Sequence, residues 1–279
     1  MTPREGYPSD LSDDRWELIE PVLTAWRTRQ RQNALGFGRP PVHDLRRLMD
    51  AILYVDRTGV PWRCLPHGFP PHQTVYGYFA QWQRDGVFTQ LTGLLRRLVR
   101  EAGGRSGESS ACVLDSQTIK TSANVPRSGQ GTDAGRRVIG RERHLGCDTL
   151  GLLLTVLVTA ADVSDTAAGV TLLSRIAAAH PRVTKAWVDA GYRTTAIDHG
   201  AGLGIDVQPV ARPPGRRGFV IIPRRWTIEG SIGWLMRHRR LARDDETHPH
   251  RSEALIHLAM IDLMTRRLTG ETTQNWRGT

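Results

Sequence analysis

The sequence predicts an α/β layered domain preceded by an all-α region, and three observations lead there. Apolar residues recur at helical spacing through the first hundred residues. A glycine- and serine-rich stretch, GGRSGESS, interrupts the chain at 103–110. Beyond it, apolar runs of strand length alternate with helical ones. The implied division is a helical unit over residues 1–105 and an α/β unit over residues 106–279.

In the first unit Ser12 is placed to cap a helix from about Asp13 to Trp26, with Trp16, Ile19, Leu23 and Trp26 along one face. An arginine- and glycine-rich loop, RTRQRQNALGFGRPP, follows. Val42 to Thr58 carries Leu45, Leu48, Met49, Ile52 and Val55 at helical spacing, and Gly59 stops it. A turn-rich segment then leads to a helix beginning near His72 and running through Trp82, and another covers about Phe88 to Glu101. Short helices with tight turns and exposed arginines fit a helix-turn-helix-like DNA-binding unit. They also fit a plain helical bundle with Trp62 and Trp82 in its core.

In the second unit ACVLDSQTIK reads as a strand, and RHLGCDT with LGLLLTVLVTA as a hairpin turning near Thr149–Gly151. Asp165 to His180 reads as a helix and VTKAWVDA as another buried strand. A short helix near Thr194–Gly202, the strand IDVQPVA, and helices over Arg224–Arg243 and Glu253–Thr269 complete the pattern.

Of the 279 residues 39% are hydrophobic, enough for a real core. The 38 basic and 28 acidic side chains leave a net charge of +10. The excess is spread, with 15 basic against 11 acidic side chains up to residue 105 and 23 against 17 beyond it. That distribution fits a polyanionic partner along the molecule, and also a basic protein with no nucleic-acid role. Cys64, Cys112 and Cys147 are far apart with no CxxC pair, which argues against a disulfide framework or zinc ribbon. Reduced thiols in a cytosolic protein are the expectation. The N-terminus has no apolar core of the signal-peptide kind, and the most apolar run, Leu150–Ala161, spans 12 residues, too few to cross a bilayer. A cytoplasmic, nucleoid-associated protein without membrane attachment is expected.

Two carboxylates stand out. Asp115 interrupts the apolar run VLDSQ, and Asp189 interrupts AWVDAGY in the same way. A charge inside a buried strand is costly unless it is paired or bound to metal. Two such strands in one unit suggest carboxylates meeting at a sheet edge, where a divalent cation would offset their repulsion. Strand-end aspartates also cap turns. Glu229 lies in RRWTIEGSIGWLMRHRRL, a helix rich in arginine, where an ion pair with Arg225 or Arg237 is the simpler account.

Taken together, these blocks resemble the DD-E transposases of bacterial insertion sequences, of the insertion-sequence-five type. The resemblance runs through LSDDRWELIEPVL, LRRLMDAILYVDRTGVPWRCLPHGFPPHQTVYGYFAQW, VLDSQTIK, DAGRRVIGRERHLGCDTLGLLL, ADVSD, WVDAGYR, GFVIIPRRWTIEGSIGWLMRHRRLARDDE and SEALIHLAMIDLMTRRL. It implies a ribonuclease-H-like mixed sheet flanked by helices. On it, Asp115, Asp189 and Glu229 match the three catalytic, metal-binding acids, and Arg225 matches the arginine of the signature around the last acid. The chain departs from the family at Gly230, where arginine is usual, and at Gly146–Cys147, where an aliphatic pair is usual. Glycine within a helix costs roughly 0.5–1 kcal/mol relative to alanine.

The implied activity is cutting of the element's ends and their joining to target DNA, assisted by two Mg2+ ions, with Mn2+ able to substitute. Asp115 would be shared between the ions, with Asp189 and Glu229 completing one site each. An all-carboxylate set suits such hard cations. Arg225, Arg237, Arg239 and Arg240, with the loop from Arg127 to Arg143, would grip backbone phosphates, and Tyr192 and Arg193 would meet the strand end. The partners implied are double-stranded DNA, as terminal inverted repeats and target, and a second copy of the chain in the synaptic complex. His144 falls outside the catalytic set, and Asp148, Asp162 and Asp165 read as turn-forming or capping acids. Two rival readings are a ribonuclease-H-like nuclease that cuts without joining, and an inactive remnant that only binds DNA.

Overall fold

The computed structural model describes residues 6–33, 42–189, 191–192, 194–210 and 226–272. Four helices come first: α1 (Asp13–Asn33), α2 (Leu45–Thr58), α3 (His72–Arg84) and α4 (Val87–Ala102). Ser12 caps α1 as the sequence suggests, its hydroxyl accepting the Arg15 N–H at 3.3 Å. Helix α2 starts later than expected because Asp44 is its cap, accepting the Arg47 N–H. Gly59 ends it at φ 74°, a left-handed conformation that suits glycine. A side chain there would also stand 3.1 Å from the Cβ of Arg239, so the same glycine admits a close approach from the far end of the chain.

The strands are β1 (Ala111–Lys120), β2 (Gly131–Asp133), β3 (Val138–Asp148), β4 (Leu153–Ala160), β5 (Lys185–Val188) and β6 (Asp206–Pro209). Helix α5 (Asp165–Ala179) lies between β4 and β5, and α6 (Thr194–Gly202) between β5 and β6. Helices α7 (Trp226–Leu235) and α8 (Pro249–Thr269) follow. Strand β3 pairs antiparallel with β1 on one side and with β4 and the short β2 on the other. Strands β1, β5 and β6 run parallel. The result is a mixed sheet with β1 at its centre, flanked by helices, in the ribonuclease-H-like arrangement.

Each face of the sheet has its own cover. Val113, Leu145, Cys147, Leu153, Val156 and Val158 join a core shared with α1–α4 and α8. Cys112, Leu114, Ala186 and Val188 join a second core with α5 and α6. Gly146 shows how closely α5 approaches: an added Cβ would stand 3.0 Å from Ile176 and 3.2 Å from Leu114. Asp148 forms the β3–β4 turn, accepting the N–H groups of Leu150 and Leu152 and pairing with Arg100.

Two sequence expectations need correction. The stretch Arg127–Arg143, read as a loop, contains β2 and half of β3, so Arg141 and Arg143 are buried strand residues. The helix expected to reach Arg243 stops at Leu235. Beyond it the chain turns to bring His238 Nδ1 to 2.5 Å from Asp56 Oδ2, and the Arg57 guanidinium donates to the Arg237 carbonyl. Contacts with α2 outweigh local helix propensity here.

Candidate active site

Alternation along β1 puts Val113 and Asp115 on one face and Leu114 and Ser116 on the other. The parallel ladder with β5 pairs Ala111 with Lys185, Cys112 with Ala186 and Val113 with Trp187. Continued two residues past the last pair, the same register sets Asp115 level with Asp189, where the strands part. Ligands collect at such carboxyl-end crevices of parallel strands. Asp115 is 8% exposed, and its Oδ1 accepts the Ser116 N–H at 2.9 Å. Asp189 Oδ1 accepts the Gly191 N–H at 2.8 Å.

Glu229 lies in the first turn of α7, partly buried. That helix packs on β1 from the face that carries Asp115: Trp226 and Thr227 line a cavity of about 240 Å3 together with Val113 and Trp187. Ser231 fastens it by donating to the Gly151 carbonyl at 2.7 Å, and the Arg267 guanidinium of α8 stacks 4.3 Å from the Trp234 ring. Gly230 has no crowded neighbour: an added methyl group would find only Trp234, at 4.0 Å, so packing does not demand glycine there.

Negative charge accumulates around Tyr192. Its phenol is buried without a hydrogen-bond partner among the described residues. Burial first, and then Asp165, Asp115, Asp189 and Glu142, push its proton affinity well above the ordinary range. Asp165 and Asp189 both crowd Gly191, at 2.9 and 3.0 Å from where a Cβ would stand.

These positions belong to a chain whose residues 106–264 match the family described as transposase DDE domain. The chain is a DDE transposase. Residues 11–92 match the family described as "Putative transposase of IS4/5 family". The "Insertion element IS402 uncharacterized 16.2 kDa protein" of Burkholderia cepacia is 33% identical over 122 residues, covering 43% of this chain and 79% of that protein. No solved structure matches the chain. Transposase DDE domains use divalent metal ions, and the oxygen-rich surroundings of Tyr192 fit such a group. Among the described residues no helix is long and apolar enough to cross a membrane.

The transposase's expected DNA contacts divide by exposure. Arg237 and Arg239 are exposed just beyond α7. Arg240 is buried and held by Glu246 through both Nε (3.0 Å) and Nη2 (2.6 Å). Arg143 is 1% exposed and donates from Nη1 to the Leu241 carbonyl, and burial lowers its pKa to about 10. Tyr192 packs its ring against Gly169 of α5. These three are internal and do not reach a phosphate as they stand. Arg193 and Arg225 lie outside the described residues.

Sequence reasoning passed over another group. Glu142, His144 and Asp165 each offer a ligand atom, all within 4.8 Å of one another. Burial raises the pKa of Glu142 and Asp165 and holds His144 down to about 4. The two-residue spacing of Glu142 and His144 on a strand was the available signal. Asp165, expected as a cap, is instead the first residue of α5, because Ser164 caps the helix by accepting the Ala167 N–H.

Proposed function

We propose that this transposase cuts the ends of an insertion sequence and joins them to target DNA by metal-dependent phosphoryl transfer, with Asp115, Asp189 and Glu229 as catalytic acids. What supports this reading is the parallel β1–β5 ladder, which ends at Val113–Trp187, two residues before Asp115 and Asp189, together with the packing of the helix carrying Glu229 beside that pair. Bound Mg2+ or Mn2+ supplies Lewis-acid stabilisation of the phosphoryl oxygens and a more acidic attacking water or hydroxyl. The chain's own part is to present the carboxylates. The amides of Ser116 and Gly191 each hold one oxygen of Asp115 and Asp189, which restricts carboxylate rotation. Arg237 and Arg239, with Arg193 and Arg225, contact backbone phosphates near the cut. Residues 1–105 form the DNA-binding unit and residues 106–279 the catalytic one, and two copies of the chain pair two DNA ends.

Incubation of a labelled element end with the protein in Mg2+ tests this. Joined products that vanish in Asp115→Ala are expected. Cleavage without joining would identify a nuclease instead. A gel shift with neither product would leave only DNA binding.

A further inference from the structure

Glu142 and His144 leave β3 on the face away from Asp115, and Asp165 meets them from α5. The His144 side chain is fully buried and Glu142 is 7% exposed. The Thr159 hydroxyl lies 3.0 Å from Nε2 of His144 and fixes the orientation of the ring, which leaves Nδ1 facing α5. Asp165 Oδ1 stands 3.7 Å from that nitrogen, and neither atom has a hydrogen-bond partner among the described residues.

Two buried polar atoms that face each other beyond hydrogen-bond reach are costly, and a cation between them relieves the cost. Two ligands about 2.1 Å from one ion stand roughly 3.4 Å apart at the tetrahedral angle, close to the separation found. An imidazole whose far nitrogen is fixed by a hydrogen bond is also the usual disposition of a metal-ligating histidine. Glu142 adds a carboxylate to the set. Its Oε1 accepts from the Ser116 hydroxyl at 2.9 Å, and a carboxylate retains capacity for a further partner. A cavity of about 440 Å3, lined by Asp133, Arg136, Glu142 and Asp165 among others, gives a route in. Arg136 reaches Glu142 from this cavity at 3.4 Å and offsets part of its charge.

We propose that Glu142, His144 and Asp165 bind a divalent cation of the class that accepts imidazole together with carboxylate, such as Zn2+ or Mn2+. This cluster adjoins the Asp115–Asp189–Glu229 set without sharing a ligand with it: Asp165 and Asp189 meet at Gly191, and Ser116 holds Asp115 by its amide and Glu142 by its hydroxyl. The assignment stands on the cluster's own geometry and does not depend on the cut-and-join chemistry.

Calorimetric titration with Zn2+ in excess Mg2+ tests it, using the full chain and the variants D115N/D189N, E142Q and D165N, each checked for fold by circular dichroism. One tight Zn2+ equivalent is expected in the wild type and in D115N/D189N. Affinity is expected to fall at least about 10-fold in E142Q and in D165N. In nitrogen-15 spectra of the wild type, Nδ1 of His144 is expected to move on Zn2+ addition, a readout that needs no variant to fold. Unchanged affinity in folded E142Q and D165N, loss of Zn2+ from D115N/D189N alone, or an Nδ1 resonance that stays put at saturating Zn2+ would each overturn the assignment.

Discussion

Residues Arg141 to His144 alternate between the two faces of β3, and the two faces handle buried charge in opposite ways. On one face Arg141 donates from Nε to the Gly129 carbonyl, from Nη1 to the Glu246 carbonyl and Asp244, and from Nη2 to the Thr247 carbonyl. Arg143 beside it is tied to Leu241, while its Nε lacks a partner among the described residues. These arginines bind the segment that follows α7 to the middle of the sheet. On the other face, Nδ1 of His144 and Oδ1 of Asp165 confront each other 3.7 Å apart, neither with a hydrogen-bond partner among the described residues. The first face spends its buried charge on holding the chain together, and the second leaves a histidine and a carboxylate facing each other beyond hydrogen-bond reach.

This comparison can be broken or sharpened by experiment. The largest effect is expected from Asp115→Asn, which keeps shape and removes charge. Strand transfer in Mg2+ should fall by about 10^3-fold or more, corresponding to several kcal/mol of lost transition-state stabilisation. Near-normal joining by this variant would move the chemistry away from the face shared by Asp115 and α7. Next comes a pair of neighbours. Arg141→Met strips the ion-pair partner from buried Asp244, which keeps the Ser252 hydroxyl and the Glu246 amide, and should cost about 3–5 kcal/mol in denaturant unfolding. Glu142→Gln, one residue along on the opposite face, should change stability by less than about 1 kcal/mol. The reverse order would undo the distinction between the faces.

Gly146→Ala probes the packing between them. A methyl group pressed on Ile176 and Leu114 should destabilise by about 1–3 kcal/mol, read as a lowered denaturation midpoint. The smallest effect concerns acid. His257, buried on α8 beside Thr92, has its pKa lowered from 6.5 to about 4 by burial, and Arg96 and Arg175 add to the shift. The unfolded chain takes up this proton first. Its contribution to stability is therefore intact above pH 6.5 and is lost as pH falls toward about 4. His257→Gln should flatten the decline of melting temperature over that interval, and an unchanged slope would place the acid sensitivity elsewhere.

Much of the architecture is written locally. The apolar spacing of Leu45, Leu48, Ile52 and Val55, the stop at Gly59, and the strand around Asp115 depend on near neighbours, and each has its counterpart in the fold. Strand β3 is different. Its Arg-Glu-Arg-His run has no apolar alternation, and its buried Arg141 is satisfied by Asp244, Glu246 and Thr247, which arrive from about a hundred residues away. The candidate site was legible in part. The carboxylates of Asp115 and Asp189 stand out in the sequence by interrupting apolar strands. Nothing local distinguishes Asp165 from a capping acid, or Arg143 from a phosphate-binding one, since burial and partner geometry are properties of the assembled sheet.

The contact between Gly59 and Arg239 has a mechanical side. Together with Asp56–His238 and Arg57–Arg237, it bolts the end of α2 to the residues directly after α7. Ser231 and Trp234 meanwhile pin α7 to the β3–β4 turn and to α8. The helix bearing Glu229 is thus a beam clamped between the two halves of the molecule. Any force that shifts the first half against the second is delivered directly to Glu229.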